Sequence, residues 1–105
     1  MANTIDIREE YLAIVKRLLR AYMPDAEVWV YGSRAKGTAY DASDLDLVLR
    51  NPKNLTEFFP WQSMSRLREA LSESDLPFLV DVTDWAGLTD SFREIITKES
   101  VRLEL

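Results

Sequence analysis

Residues 44–49 read Asp-Leu-Asp-Leu-Val-Leu, and this alternation constrains the fold more tightly than any other stretch of the chain. Side chains along a strand alternate between its faces. Leu45, Leu47 and Leu49 therefore share one face, while Asp44 and Asp46 share the other with Cα atoms roughly 6.5 Å apart. A strand with one apolar face has to be covered on that face. Cover is available on both sides in sequence. Ile7, Tyr11, Ile14, Val15, Leu18, Leu19 and Tyr22 recur at helical spacing and predict a helix to about residue 22, ended by Pro24, with Asp6 as its cap and Glu9 at the third helical position. Met64, Leu67, Ala70 and Leu71 predict a second long helix, to about Ser72; Phe92, Ile95 and Ile96 predict a last one, opened by a Ser91–Glu94 capping box.

Further strands fit between these helices. Val28 to Tyr31 is β-branched and aromatic and is punctuated by Gly32, and Phe78 to Val82 follows Pro77. Ser33 to Lys36 has the length of one helical turn closed by Gly37, and residues 53–61 read as an irregular connection. The order is helix, strand, short helix, strand, helix, strand, helix. It predicts an α+β fold (an α/β-type layer) with a small mixed β-sheet flanked by helices. At 105 residues and 47% hydrophobic, the chain reads as a single domain over residues 1–105 with one core.

Two absences narrow the chemistry. Without cysteine there is no disulfide, thiolate metal site or thiol nucleophile; without histidine there is no Ser-His-Asp triad and no imidazole base. Catalysis here would have to run on carboxylates, hydroxyls, Lys, Arg and a hard metal. A net charge of −5 argues against an extended nucleic-acid surface, which needs a basic stripe. The first residues lack a signal-peptide pattern and no run reaches membrane-spanning length, so the expectation is a cytoplasmic protein with no membrane contact.

Asp46 sits between leucines, where an unpaired carboxylate is costly, and Asp44 opposes its ionisation. A divalent cation relieves both costs, and Mg²⁺ commonly takes one or two carboxylates together with substrate phosphates. Asp81, between Val80 and Val82, offers a third carboxylate on the alternate face of its strand, as a two-metal site would need. Gly32-Ser33 offers the complement. A glycine at a strand end lets backbone approach a ligand, and a following helical turn presents free N–H groups to phosphate. The Ser33 hydroxyl, Arg34 and Lys36 stand beside it. Asp84 reads as a cap for the turn that follows.

Other readings of these residues remain open. Asp44 can cap a turn, Asp46 can pair with Arg34 or Lys36, and Asp81 can be a solvated carboxylate on an edge strand. Trp29, Trp61 and Trp85 read as core or rim packing. Phe58, Phe59 and Trp61 either pack under the adjacent helix or form an exposed apolar cluster that marks a partner surface.

The combination Gly32-Ser33, then Asp44-Leu45-Asp46, within GSRAKGTAYDASDLDLVL and followed by VDVTDW, resembles the signature of the DNA polymerase β-like nucleotidyltransferase superfamily, and in particular its minimal nucleotidyltransferases. The resemblance spans nearly the whole chain. It implies the polymerase β-like nucleotidyltransferase fold and Mg²⁺-dependent transfer of AMP from ATP, a nucleoside triphosphate, to a hydroxyl. It implies phosphate binding at Gly32, Ser33 and Arg34, and catalytic metal binding at Asp44, Asp46 and Asp81. It also implies a partner, a HEPN-domain toxin, neutralised by this chain as an antitoxin. The alternative is an antitoxin that acts by binding alone.

Overall fold

The computed structural model describes residues 5–105. Helix α1, Glu9–Tyr22, buries Val15 and Leu19 of the stripe expected from its spacing together with Leu12, which that stripe did not include, while Tyr22 at its end is exposed. Its start differs from the Asp6 cap: Arg8 holds the extended N-cap position, and no side chain caps the helix. The reason lies in Asp6 itself. Its N–H donates to the Arg34 carbonyl at 2.7 Å and its carbonyl accepts from Arg34 Nη1 at 2.8 Å, which ties this residue to another segment and keeps it out of the helix.

Four strands form one sheet in the order β3-β2-β1-β4. They are β1, Glu27–Tyr31; β2, Leu45–Arg50; β3, Val80–Asp84; and β4, Val101–Leu103. Strand β1 runs antiparallel to β2 and β4, whereas β2 and β3 are parallel. A parallel neighbour requires a crossover, and α3, Trp61–Ser72, lies within it. Strand β3 begins two residues later than the Phe78–Val82 expectation, because Phe78 is buried against the Arg34 guanidinium, 4.3 Å from its ring centroid.

Val28, Val30, Leu45, Leu47, Leu49 and Val82 form the apolar sheet face, buried in one cluster with α1 and with Met64, Leu67 and Leu71 of α3. The opposite face carries Val48, which is also buried, and α4, Asp90–Glu99, which contributes the buried Ile96. Helix α4 is capped by Thr89, whose hydroxyl accepts from the Phe92 N–H at 3.2 Å; the Ser91–Glu94 box does not form, because Ser91 already lies inside the helix. Asp84 behaves as expected, accepting from the Ala86 N–H at 3.1 Å to open a 3₁₀ turn over Trp85–Gly87. It also accepts from the Phe59 N–H, which pins the irregular 51–60 connection. Phe59 is thus partly buried, while Phe58 and Trp61 are 63% and 75% exposed, so the packing expectation fails for Trp61. At the far end of the α4-covered face, Glu27 accepts from the Trp29 indole and from Arg50. Burial works against its carboxylate, but these donors and the charges of Arg50 and Arg102 outweigh it and hold the pKa below its usual value. Among the described residues, no helix is long and apolar enough to cross a membrane.

The short helix α2, Ser33–Lys36, is closed by Gly37 in the left-handed region, and it carries the one buried charged residue recorded among the described residues. Arg34 is 5% exposed, and each of its three guanidinium nitrogens donates to carbonyls: Nε to Ser43, Nη1 to Asp6, and Nη2 to Tyr40, Asp41 and Ser43. It therefore ties the chain before α1 to the 40–43 loop. Removing it leaves several carbonyls without donors, a loss expected to exceed about 3 kcal/mol. Arg34→Met should lower the melting temperature, followed by circular dichroism, by roughly 10 °C or more. Arg34→Lys should restore little, since an ammonium lacks the planar fork that reaches four acceptor carbonyls.

Candidate active site

Three strands deliver their polar residues to one row. Across the sheet, Tyr31 of β1 faces Asp46 of β2, and Asp46 faces Asp81 of β3. Cross-strand partners project from the same side of a sheet, here the side opposite the leucine core. Asp46 is partly buried and Asp81 exposed. Asp44 stands one residue ahead of β2, exposed, on the segment whose Ser43 carbonyl is gripped by Arg34 at 2.9 Å. Asp46 and Asp81 thus lie side by side on one sheet face, and Asp44 stands in the loop just ahead of them.

Gly32 brings the phosphate-type turn to them. Its φ of 78° and ψ of −157° belong to a region that side-chain-bearing residues avoid. A Cβ on Gly32 would also run into Oδ2 of Asp46. Both constraints demand glycine. Their result is that the Gly32-Ser33 backbone lies directly against the central carboxylate. Because α2 is a single turn, it offers free N–H groups and the Ser33 hydroxyl rather than a large helix dipole.

Arg34, expected at the phosphate, points elsewhere. Its guanidinium is turned inward to the four carbonyl acceptors and the Phe78 ring, so its role near the site is to hold the loop that feeds Asp44. Lys36 pairs with Glu99 at 3.0 Å. Neither cation therefore pairs with Asp46, and among the described residues no ion pair forms on Asp44, Asp46 or Asp81. Burial, and then the charges of Asp81 and Asp44, push the Asp46 pKa above its usual value. Burial raises that of Tyr31 as well, and the charges of Asp46 and Asp81 add to the rise.

Uncompensated, mutually repelling oxygens are the setting in which a hard divalent cation is favoured. Among the described residues, no set of three or more Asp, Glu, His or Cys side chains is gathered tightly enough to cage a metal by itself. The carboxylates fit Mg²⁺ as an open, partial ligand set to be completed by phosphate oxygens and water. Beside Asp44, a cleft of about 450 Å³ opens between the end of α3 and the approach to β3, bordered by Leu71, Leu76 and Leu79. Two members of the polar face, Tyr31 and Thr83, went unnoticed in the sequence. The only signal was the parity of Glu27, Trp29 and Tyr31, opposite to that of Val28 and Val30.

Comparison with known proteins identifies the family to which this fold belongs. The family model described as the central palm domain of poly(A) RNA polymerase, mitochondrial-like, matches residues 1–96. A Haemophilus influenzae protein named as a probable protein adenylyltransferase MntA is 47% identical over 100 residues, covering 95% of this chain and 84% of the relative. A solved minimal nucleotidyltransferase superposes with a TM-score of 0.68 at 30% identity, covering 90% of this chain and 94% of the other. A toxin–antitoxin structure with AMP-PNP shares the fold at a TM-score of 0.62 and 21% identity, covering 89% of this chain and 72% of the other. The palm match over residues 1–96 and the 47% identical relative make this chain a member of the MntA-like nucleotidyltransferase family.

Proposed function

We propose that the chain transfers AMP from ATP to a hydroxyl on a protein partner, a HEPN-domain toxin in the cytoplasm, and thereby acts as its antitoxin. The observation that carries this reading is the contact between the Gly32 turn and Asp46, with Asp81 in register on the next strand. The MntA relative is named as a protein adenylyltransferase, and the structure with AMP-PNP is a toxin–antitoxin; both support the reading.

The residues divide the task. The N–H groups after Gly32 and the Ser33 hydroxyl donate to the triphosphate and orient it. Asp44 and Asp46 would hold Mg²⁺, which neutralises charge on the attacking and leaving oxygens when bound. Asp81, exposed on β3, takes the proton from the acceptor hydroxyl as its oxygen bonds to the α-phosphorus. The bond from that phosphorus to the bridging oxygen breaks, and pyrophosphate leaves.

The exposed Phe58 and Trp61 favour a second reading, neutralisation by binding alone. The two are separable. With α-labelled ATP, Mg²⁺ and the toxin, the wild type should label the toxin and an Asp44→Asn, Asp46→Asn double variant should lose at least about a hundredfold in rate. Equal labelling by both would end the catalytic proposal, and a double variant that still protects cells would establish binding as sufficient.

Stability offers an independent check. Because the folded chain holds the Asp46 pKa above its unfolded value, the ionised carboxylate opposes folding at neutral pH. That penalty shrinks as pH falls through the folded pKa and is gone below the ordinary carboxylate value of about 3.9. In metal-free buffer, Asp46→Asn should therefore melt higher than the wild type at pH 7. The gap should close on acidification to about pH 4, and saturating Mg²⁺ with ATP should reverse the order. Thermal melts with and without chelator test this.

A further inference from the structure

Asp44 stands one residue ahead of β2 and has no cross-strand partner in the register. Its two chain neighbours are held instead, each by a different part of the molecule. On one side the Ser43 carbonyl accepts from Arg34 Nε at 3.1 Å and from Nη2 at 2.9 Å. On the other, the Leu45 N–H donates to the Leu79 carbonyl at 2.9 Å, at the approach to β3. These two anchors are themselves joined. Phe78, next to Leu79 in the chain, sets its ring against Arg34, whose guanidinium lies 4.3 Å from the ring centroid. The contacts close on themselves: from Arg34 to Ser43, through Asp44 to Leu45, across to Leu79, and back through Phe78 to Arg34.

Phe78 is the link in this circuit that no side-chain hydrogen bond supplies. Its ring is buried, and Tyr11 of α1 meets it edge-on with centroids 5.9 Å apart and planes at 85°. Arg34 is buried as well, and a guanidinium shielded from water over an aromatic face is held more firmly than an exposed one. Without the ring, Arg34 still binds Ser43 and Leu79 still binds Leu45, but the two anchors are no longer fixed directly to each other. The loop that presents Asp44 and the strand that carries Asp81, three residues beyond Phe78, then gain slack. Like charges take up slack by moving apart. Drawing them back when a metal arrives is work subtracted from binding.

We propose that Phe78 is a positioning residue: by closing the circuit through Arg34, it fixes Asp44 relative to Asp46 and Asp81 before metal binds. This rests on the reading of the three carboxylates as the metal site. Phe78→Leu keeps the position apolar and removes the ring face while deleting none of the hydrogen-bonding groups in the circuit. Phe78→Tyr keeps the ring face. Val15→Ala, at a buried position of α1 outside the circuit, reports the loss of core packing alone.

The test uses the full chain with Phe78→Leu, Phe78→Tyr, Val15→Ala, Asp44→Asn, and Phe78→Leu combined with Asp44→Asn. Mn²⁺ alone serves as the metal probe, its free fraction followed by electron paramagnetic resonance well below the lowest melting temperature, with thermal melts alongside. Phe78→Leu should weaken Mn²⁺ binding roughly three- to tenfold, within the span of a cation–π contact shielded from water. Phe78→Tyr should stay within about twofold of wild type. Val15→Ala should melt lower than wild type and yet bind Mn²⁺ as wild type does. In the Asp44→Asn background, Phe78→Leu should weaken binding no further, because the ring acts through Asp44. Unchanged affinity in Phe78→Leu, an equal loss in Val15→Ala, no rescue by tyrosine, or effects that multiply with Asp44→Asn would overturn the positioning role while leaving the metal site intact. Asp46→Asn separates the two ideas: if it binds Mn²⁺ as well as wild type does, the metal reading falls and the role of Phe78 with it.

Discussion

The pairing of Asp46 with Asp81 across two parallel strands is the contact on which the rest of the molecule is arranged. Two carboxylates cannot be set opposite each other on adjacent strands without cost, and among the described residues no ion pair neutralises them. The leucines and valine behind them absorb that cost by burying the other face of the same strands against α1 and α3. Pairing on both sides of β2 fixes the register. A one-residue slip would exchange Asp46 for a core leucine, so the hydrophobic core and the charged site are specified by the same alignment.

Around that pair, the remaining polar residues follow a division of labour. Gly32 lets backbone touch Asp46 where any side chain would collide with it. Arg34 spends its charge on carbonyls and thereby secures the loop that presents Asp44. Lys36 is engaged with Glu99 at the surface. Positive charge is close in sequence to the carboxylates but is held away from them. An acidic cluster so arranged is open to an outside cation in a way that a salt-bridged one is not.

The legible part of this arrangement was the part that depends on local pattern. Alternation in residues 44–49 put Asp44 and Asp46 opposite the leucines, the valines around Asp81 did the same for the third carboxylate, and helical spacing placed α1, α3 and α4 to within a few residues. What escaped depends on distant partners. Arg34 lies in a polar run, and only the folded positions of Asp6, Tyr40, Asp41 and Ser43 make a buried guanidinium affordable. Strand β4 is three residues long and pairs only because α4 returns it to β1. Thr89 displaced the Ser91 cap because its hydroxyl sits at the last extended residue, a fact of backbone conformation and not of residue type.

The parallel neighbour of β2 arrives only after the whole of the 51–79 segment, including α3, has crossed over the sheet. Long-separation pairing of this kind forms late, since loop entropy is spent before any strand contact returns it. Asp81 therefore meets Asp46 only after that segment has closed the loop between their strands. No local segment carries the Asp46–Asp81 pair by itself; the pair exists only once tertiary pairing has brought two strands together.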